Sequence, residues 1–161
     1  MKILGIRNYS EGIRYCILEK NISNKIVCTN LNGENLIKIP KEYATCEDML
    51  VWYKNEIIRI LDTCSEIKQI SLKHNENVIS GCYANLKKVM FMDCIVTLIA
   101  KERNIGFNSF EYKQIGVNSK NVQIVAENNF GKTDKKWDKN IADALMAAYK
   151  IFENGDQIIN R

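Results

Sequence analysis

The sequence predicts an α/β domain built on a mixed five-stranded sheet: three antiparallel strands, then βα units, with helices flanking. Two observations carry this. Short β-branched runs separated by Asn, Ser and Gly turns crowd the first forty residues. From Thr45 onward, stretches of helical periodicity alternate with single strand-like runs.

The elements follow in order. Residues 2–7 and 13–19 are strand-like, and the Asn8 to Gly12 linker has turn chemistry, so they form an antiparallel hairpin. Residues 25–29 make a third strand. Residues 36–40 extend or pair with that sheet until Pro40, the only proline, ends the run. Thr45 opens a helix, with Asp48 three residues on as an imperfect capping box. Apolar residues then recur at helical spacing to about Cys64. Residues 67–73 form the next strand and the polar stretch 74–81 a loop. Residues 82–102 form a long helix that is apolar nearly all round, with Asp93, Thr97 and Lys101 as its solvent edge. Residues 105–111 are the fifth strand, 119–128 a modest helix, and 130–136 a polar loop. The final helix spans 137–152. Asp138 caps it, and Ile141, Leu145, Ala148, Tyr149 and Phe152 share one apolar face. Its alanines keep it thin enough to lie close to a sheet. Asp143 sits inside this apolar segment, either facing water or held at a site. The order is β-β-β-α-β-α-β-α-α.

At 161 residues the chain reads as one domain, 1–153, with a short tail, 154–161. Its 46% hydrophobic and 26% charged residues are those of an ordinary globular protein. No run approaches eighteen apolar residues, so no membrane span is expected. A net charge of +4 permits a nucleic-acid partner without demanding one. Six scattered cysteines with no Cys-x-x-Cys pair, and a single histidine, His74, argue against zinc. They suit reduced, mostly buried thiols in a cytoplasmic protein. No phosphate-binding glycine loop and no nucleophile elbow is present.

The front run Lys2-Ile3-Leu4-Gly5-Ile6, the back run Ile141-Ala142-Asp143-Ala144-Leu145 and the element order between them resemble the RNase H-like superfamily, in particular its RuvC-type Holliday-junction resolvase branch. The resemblance covers nearly the whole chain. It implies an acid at the end of the first strand, another at the end of the fourth, and one or two on the last helix. Together these would bind two magnesium or manganese ions for phosphodiester hydrolysis. Carried onto this chain, those positions fall on Arg7, Lys73, Asn140 and Asp143, with Glu76 an alternative to Lys73 if the loop shifts the register. The four residues carry a net +1 where four carboxylates would carry −4. A cation about 4 Å from another unit charge costs roughly 4 kcal/mol at an effective dielectric of about 20, and a divalent ion about twice that. The expectation is a pseudo-site in which Arg7 and Lys73 replace the metals and pair with Asp143, with no cofactor bound.

A displaced metal nuclease, using Glu11, Glu76, Asp138 and Asp143 with Mg or Mn, stays open as the alternative. So does a purely structural or regulatory role. Lys132, Lys135, Lys136 and Lys139 surround Trp137, near Phe130. Either this patch meets branched or structured DNA or RNA, with Trp137 stacking on a base, or it is a solvated loop whose tryptophan packs on the core. Lys87 and Lys88 would add a backbone contact if the geometry agrees. A protein partner is equally compatible. A homodimer face, as in resolvases, would fall on helix 82–102, whose apolar surface exceeds what one sheet face can cover.

Overall fold

The first strand, β1 (Lys2–Tyr9), is buried along both of its faces in the computed structural model, and its residue parity decides the layering. The structure describes residues 1–43, 45–76 and 83–159, with backbone only over 156–159. Six strands form one sheet: β1, β2 (Gly12–Lys20), β3 (Ile26–Cys28), β4 (Leu36–Lys38), β5 (Ile67–Lys73) and β6 (Gly106–Phe110). The helices are α1 (Cys46–Thr63), α2 (Tyr83–Glu102), α3 (Tyr112–Ile115), α4 (Val122–Phe130) and α5 (Lys139–Ile159).

The spatial order is β3-β2-β1-β5-β6. β1 runs antiparallel to β2 through a two-residue turn, Ser10-Glu11, closed by the Tyr9↔Gly12 pair. β5 and β6 add in parallel on the other side. The expected count of five strands is corrected to six. β4 does not lengthen β3 but pairs with the start of β2, Gly12 to Arg14, while β3 pairs with its end, Leu18 to Lys20. Two short strands therefore share one edge position.

Even-numbered Leu4 and Ile6, with Ile70 and Leu72, face α1 and α2 and build one core with Tyr53, Ile57, Met92 and Val96. Odd-numbered Ile3, with Cys16 and Leu18, builds the second core against α4 and α5. Thr45 caps α1, its hydroxyl accepting from the Asp48 N–H at 3.1 Å. Asp138 caps α5, its Oδ1 accepting from the Ile141 N–H at 3.1 Å.

α5 lies against β1 and β5 at unusually short range. Ala142, Ala144, Ala147 and Ala148 are fully buried in that contact. The Ser71 hydroxyl donates to the Ala147 carbonyl at 2.6 Å. A Cβ placed on Gly5 would stand 2.3 Å from the Ala144 carbonyl oxygen, so only glycine fits there.

Several expectations need correction. α5 continues as helix to Ile159, past the expected end at 152. The segment after β6 holds an additional helical turn, α3, too short to show a period in the sequence. Among the five described cysteines all are free, but only Cys16 is fully buried and Cys46 and Cys94 are exposed. Asp93 is not a solvent edge, because it is half-buried against β1. Residues 77–81 of the expected loop, the Cys82 start of helix 82–102, and residues 160 and 161 lie outside the described residues. Among the described residues no helix is long and apolar enough to cross a membrane.

Candidate functional site

Strand parity sends Arg7 and Lys73 to the α5 face, at the C-terminal ends of β1 and β5. The parallel pairing of these strands runs to Ile6↔Leu72, and the two cations are the next residues along. β5 carries its pairing with β6 through Lys73↔Phe110, so the strand-end position is Lys73 and not Glu76. On α5, Asp143 turns toward the same point.

Asp143 is fully buried, so the reading of an exposed helix carboxylate falls. Its Oδ1 accepts from the Tyr112 hydroxyl at 2.7 Å. Its Oδ2 stands 3.3 Å from Arg7 Nε, a close ion pair. Neither of those two atoms has a well-aligned hydrogen bond, which marks the pair as electrostatic contact rather than a fork. The Arg7 guanidinium spends its other nitrogens on the Lys73 carbonyl, at 2.9 Å, and on Asn75 Oδ1. Burial raises the Asp143 carboxyl above the ordinary aspartate range, with Arg7, the Tyr112 hydroxyl and Lys73 opposing that shift.

The Lys73 side chain is closed off from solvent. Its Nζ donates to the His74 carbonyl at 2.8 Å and to Glu76, and it sits 3.9 Å from the centroid of the Tyr112 ring. Burial lowers the lysine; the bond to Glu76 opposes that. Glu76 also accepts from the Tyr112 N–H at 2.6 Å. Burial acts to raise this carboxyl, but its bonds from Lys73 and the Tyr112 N–H prevail and hold it low.

Arg14, opposite Arg7 on β2, completes the set. It is buried and bonds Asp138 at 2.9 Å, Asn35 Oδ1 at 2.7 Å and the Lys136 carbonyl at 2.7 Å. Three cations on this face thus each meet one carboxylate: Arg7 with Asp143, Arg14 with Asp138, Lys73 with Glu76. The set is neutral as it stands, and a divalent ion would add +2 to it. Among the described residues no three His, Cys, Asp or Glu side chains are placed to hold a metal. At the strand ends, Arg7 and Lys73 present cationic nitrogens where a magnesium or manganese site needs oxygen ligands.

The remaining sequence candidates scatter. Asn140 is half-buried one turn before Asp143. Glu11 is exposed in the hairpin turn, with its carbonyl taking the Ile39 N–H. Lys132 pairs with Glu127 at 3.1 Å, and Lys135 donates to the Gly33 carbonyl at 2.9 Å. Lys139 bonds Ser119 and lies 5.2 Å from the Tyr112 ring centroid. Lys136 keeps an exposed side chain. Trp137 and Phe130 are half-buried and pack on the second core. His74 bonds the Ser109 hydroxyl through Nδ1 at 2.6 Å, and its Nε2 is 3.5 Å from Glu111.

Sequence reasoning missed Arg14, Tyr112, Asn8 and Asp93. Asn8 is buried on the opposite face of β1, where the Tyr53 hydroxyl donates to its Oδ1 at 2.8 Å and its Nδ2 donates to Asp93 at 2.7 Å. Burial pushes the Asp93 carboxyl up to about 6. A polar residue on the buried parity of a strand was the available signal for Asn8 and for Arg14.

No family model matches the chain, and no curated protein matches it. Solved structures do. RuvC of T. thermophilus, in complex with a Holliday junction substrate, superposes with a TM-score of 0.76 at 14% identity, over 98% of this chain and 96% of that one. The yeast mitochondrial Holliday junction resolvase Ydc2 gives 0.65 at 17% identity, over 98% and 80%. The fowlpox virus Holliday junction resolvase gives 0.55 at 13% identity, over 96% and 99%. With its antiparallel hairpin, parallel extension and closing helix, the chain shares the fold of these RuvC-type resolvases.

Proposed function

We propose that this chain is a catalytically degenerate RuvC-like domain that binds branched nucleic acid without cleaving it. The observation that carries the reading is the 3.3 Å contact between Arg7 and the buried Asp143, with Lys73 beside them. The resemblance puts carboxylates and two metals there. A guanidinium and an ammonium supply the positive charge instead, within side chains of this chain. The similar solved structures include two bound to Holliday junctions, from T. thermophilus and fowlpox virus, which supports branched DNA as the first partner to test.

The shifted acid set has less support. Glu11 stands in a turn, Asp138 is committed to capping α5 and to Arg14, and Glu76 to Lys73. A second copy of the chain is the protein partner we propose. Phe91 and Leu98 stay exposed on α2 seven residues apart, which places them on one stripe of the helix.

The test is gel-shift and cleavage with labelled four-way, linear duplex and single-stranded DNA and RNA, with and without manganese. Junction binding without cleavage is expected, and the affinity should fall steeply with salt, less so for a variant lacking Lys135, Lys136 and Lys139. Manganese-dependent cleavage abolished by D143N would refute degeneracy. Absence of binding to every nucleic acid would refute the partner assignment. Sedimentation of wild type against F91E/L98E reads the dimer.

A further inference from the structure

The face of the sheet opposite the Arg7–Asp143 pair carries a cavity of about 420 Å³ between β5, β6 and α2. That volume falls within the roughly 300–1,000 Å³ usual for small-ligand sites. Its walls are apolar, with Leu72, Val89, Met90 and Phe107 among them. Two polar side chains in its lining are fixed from behind. Asp93 Oδ1 is held by Asn8, itself held by the buried Tyr53 hydroxyl, and among the described residues nothing bonds Asp93 Oδ2. Asn75 accepts from Arg7 through its Oδ1 and also lines the cavity, and among the described residues nothing accepts from its amide N–H groups.

The cavity thus offers a preorganised carboxylate acceptor and a preorganised amide donor on an apolar bed. The carboxylate is not an isolated anion, because Asn8 donates to it and the Arg7 and Lys73 charges act on it, so a neutral donor suits it as well as a cation. The complementary ligand is flat, neutral and apolar on its faces, with adjacent N–H donors beside a carbonyl along one edge. Among nucleobases, adenine and cytosine place a ring acceptor next to their amino group, which would meet the carboxylate lone pairs. Uracil and thymine offer one N–H between two carbonyls. Guanine has two adjacent donors, N1–H and N2–H, and a carbonyl, O6.

We propose that this cavity binds a guanine base, with Asp93 accepting from N1–H and N2–H, Asn75 donating to O6, and the apolar walls covering the ring. The base comes either from a free nucleoside or from a nucleic-acid strand. Only the second source rests on the nucleic-acid reading above.

Calorimetric titration of the full chain with guanosine, inosine, adenosine and cytidine tests this. Guanosine binding is expected, weakened about tenfold or more for inosine, which lacks the N2 amino group, and by a similar factor for guanosine with D93N. Inosine binding as well as guanosine, or no binding of guanosine, overturns the assignment; the inosine arm uses wild-type protein and does not depend on how D93N folds. A second arm competes guanosine with an oligothymidylate carrying one central guanine, against oligothymidylate alone. Competition by the guanine strand assigns the strand source, and its absence assigns the free nucleoside. Guanosine binding without any junction binding would leave the cavity assignment standing while the nucleic-acid reading falls, and the reverse result would do the opposite.

Discussion

Replacing Arg7 by methionine removes the charge and both guanidinium bonds while keeping most of the side-chain length. It leaves Asp143, fully buried, with the Tyr112 hydroxyl as its remaining hydrogen-bond donor among the described residues. At the observed 3.3 Å, the pair attraction is about 5 kcal/mol for an effective dielectric of about 20. Breaking a buried pair from one side typically costs about 3–5 kcal/mol, because the other charge stays desolvated. We expect R7M to lose about 3–5 kcal/mol at pH 7, read from urea unfolding. The pH dependence has a definite sign. The Asp143 carboxyl is already raised by burial, and Arg7 is the largest influence opposing that. Without Arg7 it rises further, so the protonated form is favoured in the folded state and the loss should shrink as pH falls toward the unfolded aspartate value of about 4. Adding D143N should recover more than about 1 kcal/mol, since no buried carboxylate is then left alone. Losses for R7M, D143N and the double variant that add within about 0.5 kcal/mol would refute the pairing.

Three further outcomes follow from the geometry. Gly5→Ala should cost about 3 kcal/mol or more in urea unfolding, because its Cβ meets backbone rather than a flexible side chain, and a loss under about 1 kcal/mol would mean that α5 can lift. Asp93 should favour the folded state most below about pH 4 and lose that contribution as pH rises through about 6, because burial raises the folded carboxyl. The stability of D93N relative to wild type should therefore improve by about 1–2 kcal/mol between pH 4.5 and 7.5, after discounting for water in the cavity, and an unchanged gap would refute the burial argument. The triple variant R7D/K73E/N140D should unfold at lower temperature in chelator and gain several degrees with manganese, whereas wild type should show no metal-dependent shift. A triple variant indifferent to manganese would show that the acids alone do not rebuild a metal site.

Most of the fold was legible because it rests on local pattern. Apolar runs at residues 2–7 and 13–19 could only be a hairpin with Gly12 between them, and both helix caps, Thr45 and Asp138, stand where their side chains predict. The pairing of β4 with the beginning of β2 was not legible, because three residues carry too little pattern to choose an edge. Of the candidate residues, Arg7 meets Asp143 as expected, since parity and a parallel register bring the two strand ends under α5, but the expected Lys73–Asp143 pair does not form, because the Lys73 ammonium turns to Glu76 and the His74 carbonyl. Asp93 and Thr97 have the spacing of a solvent edge, and only the position of Asn8 across the layer reveals that Asp93 is held. Contacts between layers depend on the depth at which a helix seats, which periodicity along one element does not encode.

That seating depth has its own consequence. The distance of α5 from the sheet is set by Gly5, Ser71 and the buried alanines, none of which belongs to the charged cluster. The residues that set the spacing are therefore distinct from those that carry the charge. Exchanging Arg7, Lys73 or Asp143 acts through the buried charges, while Gly5, Ser71 and the alanines that set the spacing stay in place. A protein engineer would treat residues 5, 71, 142, 144, 147 and 148 as the chassis, and the charged triplet as the exchangeable part.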